Sequence, residues 1–221
     1  MTLLIFDCDG VLVDSEPIAN EILAETLTAL GRPMTAAESM RTQIGKALAD
    51  ILRETSDIVG RVVPDNVGAE MNERLFLRFR QELKPIEGVA DALAALPQRR
   101  CLASSSRPER IDLALAVTGL GGFFERRFSA VRVARGKPAP DLFLLAASEM
   151  GAAPTSAVVI EDSVSGVVGA RAAGMRVIGF VGGGHAGPDL ARRLEEAGAD
   201  RVIAHMRELP ATVAALQADV C

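Results

Sequence analysis

Four carboxylates stand where short apolar runs end. Asp7 and Asp9 follow Leu3-Leu4-Ile5-Phe6, and Glu161 and Asp162 follow Ala157-Val158-Val159-Ile160. Ser104 closes Cys101-Leu102-Ala103, and Lys137 lies in Gly136-Lys137-Pro138, ahead of a helical stretch starting near Asp141. Brought together, these residues would put four acids, one ammonium and one hydroxyl into a small volume. Two unit charges ~5 Å apart repel by roughly 3 kcal/mol at an effective dielectric of about 20. Such a set needs positive charge beyond Lys137. A hard divalent ion with oxygen ligands supplies it, and Mg2+ suits a site with few protein carboxylates and room for substrate oxygens. The chemistry that fits is phosphoryl transfer to a carboxylate. A metal-bound carboxylate is a nucleophile that needs no base. Charge on the phosphoryl oxygens needs a metal, an ammonium and hydroxyl or backbone donors. The leaving alkoxide needs an acid that can afterwards activate water. Asp7 and Asp9 can divide those two tasks only if the chain turns sharply after the apolar run, and Gly10 permits the turn.

The surrounding pattern says how these residues are positioned. The apolar runs at Leu3–Phe6, Cys101–Ala103, Ala157–Ile160, Val177–Val181 and Arg201–Ile203 read as strands buried on both faces. Helical patterns lie between them, at Gly88–Leu96, Glu109–Val117, Asp141–Met150, Gly166–Ala173 and Asp189–Ala197. Strands alternating with helices make a parallel sheet covered on both faces. In such sheets ligands bind beyond the carboxyl ends of the strands, where strand order reverses. Residues 15–84 break the rhythm. Ile18, Ile22, Leu23, Leu27 and Leu30 mark one amphipathic helix; Leu48, Ile51, Leu52, Ile58 and Val59 mark another. A third runs through Val67, Met71, Leu75, Phe79 and Leu83 to Pro85, and Thr35-Ala36-Ala37-Glu38 is a capping box. About 70 helical residues are thus inserted after the first strand.

Each polar residue also has an ordinary reading. Asp162, next to Ser163, could cap the following helix. Lys137 could be a solvated lysine and Ser104 a loop hydroxyl. Asp7 and Asp9 fit an ordinary reading less well, because a carboxylate ending an apolar strand costs energy unless it is used or paired. The joint placement of all six carries the functional reading. Composition narrows the classes further. Hydrophobic residues are 49% and charged residues 24% of 221, which is globular. There is no Trp and no Tyr and the net charge is −5, so base stacking and broad phosphate neutralisation are poorly supplied, and no nucleic-acid partner is expected. No apolar stretch approaches the ~20 residues of a membrane helix, and no basic segment precedes the N-terminal apolar run. Cys8, Cys101 and Cys221 are unpatterned, as in a reducing compartment. A cytoplasmic protein, monomeric or weakly homodimeric, is expected.

Four segments resemble, in combination and order, the motifs of the haloacid dehalogenase-like hydrolase superfamily. They are Asp7-Cys8-Asp9-Gly10-Val11-Leu12-Val13-Asp14-Ser15, Leu102-Ala103-Ser104, Gly136-Lys137-Pro138-Ala139-Pro140-Asp141, and Ile160-Glu161-Asp162-Ser163 with Gly166. The resemblance spans at least residues 3–181, and the subgroup it points to is the phosphatases related to β-phosphoglucomutase. It implies an α/β fold with a parallel Rossmann-like sheet and helices on both faces, built from residues 1–14 and 85–221, plus an inserted α-helical cap at 15–84. By the same resemblance Asp7 would be the nucleophile forming an aspartyl-phosphate and Asp9 the general acid and base. Ser104 would hold phosphoryl oxygens and Lys137 would offset charge. Mg2+ would be held by the Asp7 carboxylate, the Asp9 carbonyl and Asp162, with Glu161 ligating through water or orienting the shell. The family's dehalogenases and phosphonatases lack an aspartate where Asp9 stands, so its presence implies phosphate-ester chemistry. Sugar phosphomutases of the subgroup carry a histidine where this chain has Ala19, and their cap arginine is missing near Leu48. That implies a hydrolase acting on a small phosphorylated metabolite, a sugar phosphate or phosphogluconate-like compound, with phosphomutation the alternative. Candidate substrate contacts are Ser104, Ser105, Arg107 and Lys137 in the core and Glu16 and Lys46, with Gln43 and Gly45, in the cap.

Two rival readings use other features. Gly182-Gly183-Gly184-His185-Ala186-Gly187 fits the dinucleotide fingerprint G-x-G-x-x-G after a strand. Only 34 residues follow it, too few for the further parallel strands that fingerprint needs, so it reads as a flexible loop at the sheet edge. His185 and His205 have no metal-ligand spacing and read as surface or loop histidines. A non-enzymatic phospho-accepting module also uses clustered acids, a hydroxyl and a lysine, but has no helical insert.

Overall fold

The computed structural model describes residues 2–218; Cys221 lies outside them. The chain divides into two compact units. One runs to Asp14 and resumes at Lys84; the other is Ser15–Leu83. Lys84 therefore groups with the first unit.

The first unit is a six-stranded, all-parallel sheet. Its strands are β1 (Leu3–Phe6), β2 (Arg99–Ser104), β3 (Arg126–Ser129), β4 (Ala157–Glu161), β5 (Arg176–Phe180) and β6 (Arg201–Ile203), in the order β3-β2-β1-β4-β5-β6. Ile5 pairs with Cys101 on one side and Val159 on the other, both parallel. Successive strands step outward from β1 in one direction and from β4 in the other, so the order reverses between β1 and β4. That is the place where a doubly wound sheet opens a crevice at its carboxyl edge. β1 throughout, and β4 as far as Ile160, are apolar because both faces are covered. Ile5, Ala103, Val159 and Val177 pack with Leu142, Phe143 and Val167 in one core cluster.

Among the described residues this unit has six α-helices: α5 (Val89–Ala95), α6 (Pro108–Thr118), α7 (Asp141–Glu149), α8 (Val164–Ala172), α9 (Leu190–Glu196) and α10 (Leu209–Ala218). β3 and α10 are absent from the sequence pattern above. β3 begins with exposed Arg126 and Arg127 and buries only Phe128 and Ser129, as an edge strand allows. α10 buries Leu209, Val213 and Leu216, a short helical spacing easily passed over.

The second unit holds α1 (Glu16–Ala29), α2 (Ala36–Thr42), α3 (Leu48–Val59) and α4 (Val67–Glu82). Leu23, Leu27 and Ile51 form its small core with Met34, Leu52 and Met71 against them. The Thr35–Glu38 capping box is present at the start of α2. A buried hydrogen bond of 2.8 Å from Ser39 Oγ to Asn20 Oδ1 ties α2 to α1.

Candidate active site

After β1 the chain closes a compact turn. The Leu12 and Val13 amides donate to the Cys8 carbonyl (2.9 and 3.1 Å), and Gly10 N–H donates to the Val13 carbonyl at 2.8 Å. Gly10 has φ +76°, and a Cβ there would fall 1.8 Å from Asp162 Oδ2, so both backbone and space require glycine. Val11, Leu12 and Val13 are fully buried and anchor the turn. The Asp7 amide donates to Ile160 O at 3.0 Å, continuing the ladder one residue past the strand. This fixes Asp7 beside the end of β4.

Asp7, Glu161 and Asp162 are all buried, and one carboxylate oxygen from each lies within 4.8 Å of the others. Lys137 braces them. Its Nζ is 3.1 Å from Asp7 Oδ1 and contacts Glu161 Oε1, with a side chain 3% exposed. The same Nζ lies over the Phe143 ring, 5.2 Å from its centroid. The second Glu161 oxygen accepts from Ser163 N–H (2.9 Å) and Ser163 Oγ (3.0 Å). Gly166 makes room for it, since a Cβ there would meet Glu161 Oε1 at 1.9 Å. Both Glu161 oxygens are thus occupied by protein donors, while Asp7 and Asp162 contribute the remaining carboxylate oxygens. An all-oxygen set with two carboxylates facing a small space suits a hard divalent cation. The cap of α8 is Ser163, whose Oγ accepts from Gly166 N–H at 3.0 Å, rather than Asp162.

The electrostatics point the same way. Burial pushes the Asp7 carboxyl well above the usual range; Lys137 opposes this, and Glu161, Asp162 and Asp9 add to it. Burial likewise raises Asp162 to about 6, with His185 pulling it down and Glu161 pushing it up. Burial alone would lower Lys137, but Asp7 and Glu161 outweigh it and hold the ammonium above its ordinary value. The acids therefore exceed the protein's own positive charge at the site, and a divalent cation would ionise them. Thiol chemistry is disfavoured: burial pushes Cys8 well up and Cys101 to about 12.

Asp9 stands apart from the other three acids. Its Oδ1 is 2.7 Å from Arg110 Nη2, and its Oδ2 accepts from Ser106 Oγ at 2.6 Å. Ser106 is itself fixed, its N–H donating to Ser104 Oγ (3.0 Å) and its carbonyl accepting from Ser129 Oγ (2.6 Å). Ser104 is buried and ends β2, which runs parallel to β1 up to the Phe6–Leu102 pair. The four acids therefore divide into a group of three and a separately paired Asp9. Lys137 is joined by two further cationic or donor side chains that sequence reading missed: Arg110, one turn into α6, and His185.

His185 lies in a loop, as one of the two expectations for it had it, but not at the surface: its side chain is 7% exposed, and its Nε2 lies 3.0 Å from Asp162 Oδ2. Nor is Gly182–Gly187 an edge loop. It follows β5, which β6 covers, and the Gly184 N–H donates to Asp14 Oδ1 at 2.9 Å. The three consecutive glycines Gly182–Gly184 mark a close backbone approach but do not name its partner.

The remaining candidates are less engaged. Ser105 and Arg107 are exposed, Arg107 as the residue before α6. Within the helical unit, Lys46 Nζ pairs with Glu54 Oε2 at 3.1 Å, and Glu16 Oε2 accepts from Asn20 Nδ2 at 3.1 Å. Gln43 is buried and Gly45 adopts φ +85° in the loop after α2.

Taken as a type, this is a doubly wound parallel α/β protein with a lysine-braced acidic centre at its switch point and a helical insertion after β1. The family model described as haloacid dehalogenase-like hydrolase matches residues 1–174, and the chain belongs to that family. Fructose-1-phosphate phosphatase YqaB of Escherichia coli is 32% identical over 183 residues, covering 79% of this chain and 94% of that protein. A conserved haloacid dehalogenase-like protein from Agrobacterium tumefaciens superposes with a TM-score of 0.89 at 41% identity, covering 98% of this chain and 99% of its own. A haloacid dehalogenase-family hydrolase from Deinococcus radiodurans, solved with bound phosphate and sodium, gives 0.82 at 33% identity over 97% and 95%.

Proposed function

We propose that this chain is a Mg2+-dependent phosphatase that hydrolyses a small phosphomonoester, a sugar phosphate or phosphogluconate-like compound, through an aspartyl-phosphate on Asp7. The observation that carries this reading is the setting of Asp7: a buried carboxylate at the switch point, 3.1 Å from Lys137 and within reach of the same cation as Asp162. The named activity of the E. coli relative and the phosphate in the Deinococcus structure support the substrate class.

Asp7 attacks phosphorus with one carboxylate oxygen. Asp9, in its protonated form for this step, gives its proton to the ester oxygen, so the bond from phosphorus to the alcohol breaks as the acyl-phosphate bond forms. Asp9, now a carboxylate, takes a proton from water; the water oxygen attacks phosphorus, free phosphate leaves, and Asp7 is restored. Ser104 Oγ and neighbouring backbone N–H groups hold the phosphoryl oxygens, and Lys137 offsets their charge. Arg110 and Ser106 fix the Asp9 carboxylate between them. Asp7, the Asp9 carbonyl and Asp162 would hold Mg2+, while Glu161 orients Lys137 and Ser163. When bound, Mg2+ supplies positive charge against the phosphoryl oxygens and keeps Asp7 ionised.

The helical unit is the cap in this reading, with Glu16, Gln43 and Lys46 as its specificity residues. Hydrolysis is favoured over phosphomutation because Ala19 offers no titratable group. Among the described residues no helix is long and apolar enough to cross a membrane. Buried, unbridged Cys8 and Cys101 suit a reducing cytoplasm. The test is turnover of p-nitrophenyl phosphate and a panel of sugar phosphates by the wild type and Asp7→Asn. Activity lost in EDTA, restored by Mg2+ and absent in Asp7→Asn is expected. Metal-independent turnover, or turnover by Asp7→Asn, refutes the reading.

A further inference from the structure

The glycine-rich loop Gly182–Gly187 has no part in the chemistry above, yet it is built against the acidic centre. Gly10 and Gly183 leave a slot that the His185 imidazole fills. A Cβ on Gly10 would come within 2.8 Å of the imidazole Cε1, and a Cβ on Gly183 within 2.9 Å of its Cε1 and Nδ1. The Gly183 Cβ would also meet the Gly10 carbonyl at 3.0 Å, so the loop backbone lies directly on the catalytic turn. Gly182 permits a second close approach, its Cβ position being 2.3 Å from the Ala204 carbonyl. Gly184 N–H secures the loop to Asp14 at 2.9 Å. Three consecutive residues without side chains thus let one side chain, His185, reach Asp162.

That contact has a definite chemical sense. An imidazole nitrogen 3.0 Å from a carboxylate oxygen bonds to it only as an N–H donor. Donation to Oδ2 fixes the rotation of the Asp162 carboxylate and leaves Oδ1 as its open ligand atom. Outer groups that orient a ligand in this way typically sustain metal affinity by 10- to 100-fold.

We infer that His185 is a positioning residue for the metal site, holding Asp162 in its ligating orientation from the Gly182–Gly187 loop. The inference rests on the proposed Mg2+ site and deepens it. It also assigns a purpose to a motif that resembles a dinucleotide loop: the glycines admit an imidazole, not a pyrophosphate.

The test reads metal binding rather than turnover. Purified, chelator-stripped protein is titrated with Mn2+ alone, and free Mn2+ is followed by electron paramagnetic resonance, with Mg2+ competition giving the Mg2+ affinity. His185→Ala is expected to weaken both metals at least tenfold. His185→Gln, which retains an N–H donor, is expected to recover part of the loss. Gly183→Ala leaves every ligand and His185 in the sequence but pushes the imidazole aside, and is expected to match His185→Ala. At saturating metal the KM for p-nitrophenyl phosphate stays within threefold of wild type. Metal-free thermal unfolding identifies any variant that fails to fold, in which case the other two decide. A loss smaller than tenfold in the folded variants, or tighter binding, overturns the inference while wild-type binding leaves the proposed function standing. Wild-type protein that binds neither metal overturns both.

Discussion

Asp162→Asn in metal-free protein isolates the strain that the acidic centre imposes on the fold. Asp162 is raised to about 6, chiefly by burial, against ~3.9 for an unfolded aspartate. The folded state therefore binds this proton more tightly than the unfolded state. Between those two values the folded chain carries more protons, so stability falls as pH rises. The contribution is fully present below about pH 4 and is lost by the time pH passes 6. Two pKa units at ~1.4 kcal/mol each make it about 3 kcal/mol. Other groups titrate over the same range; Glu54 and Glu82, for example, are lowered by hydrogen bonds from Lys46 and Arg78 and act in the opposite sense. The difference between wild type and variant removes such remote groups, while Asp7, which Asp162 helps to raise, moves in the same direction as the effect sought. Asparagine keeps an oxygen for the His185 donor and has no charge to bury. Urea denaturation in EDTA at pH 4, 5, 6 and 7 is the assay. The variant is expected to gain on the wild type by about 3 kcal/mol across that range. Excess Mg2+ at pH 7 is expected to shrink the gap by stabilising the wild type more than the variant. Parallel pH curves, or a variant that loses ground as pH rises, would refute the reasoning.

Further outcomes follow from the same geometry. Lys137→Met leaves Asp7 and Glu161 buried without their ammonium, and is expected to cost about 3–5 kcal/mol in urea at pH 7.5, with part of the loss recovered at pH 5; a cost below about 1 kcal/mol at pH 7.5 contradicts the buried pairing. Arg110→Gln releases Asp9 from its ion pair, so kcat on a sugar phosphate is expected to fall at least tenfold with KM within threefold; an unchanged kcat removes Arg110 from the support of Asp9. With β-glucose 1-phosphate, phosphate release without isomerisation is expected, read by nuclear magnetic resonance; isomerisation as fast as hydrolysis overturns the argument from Ala19.

The parts of this protein written in local pattern were legible in the sequence. β1 and β4 are unbroken apolar runs because both faces are covered, and the acids at their ends are conspicuous for that reason. The helical insertion shows in its period and in the Thr35–Glu38 box. β3 was not legible, because an edge strand carries Arg126 and Arg127 in place of apolar residues. Arg110 and His185 were missed for a different reason. Nothing beside Arg110 marks it as the partner of a residue about a hundred positions away, and His185 acquires its role only when Gly10 and Gly183 are folded against one another. The charge argument from sequence foresaw the need for cations and named Lys137 and a divalent ion, but among the protein's own side chains only Lys137. It also gathered Asp9 with the other acids, whereas the fold gives Asp9 its own arginine. Side-chain pairing across elements is set by tertiary packing, and a single sequence carries little trace of it.

The most direct measurement is the chemical location of the phosphoryl group during turnover. Enzyme mixed with Mg2+ and a labelled phosphomonoester is quenched in acid within milliseconds, digested and analysed by peptide mass spectrometry. A hydroxylamine-labile phosphoryl group on the peptide containing Asp7, absent from Asp7→Asn, is the expected result. Label on another residue, or full turnover with no acyl-phosphate at any quench time, would contradict Asp7 as the nucleophile.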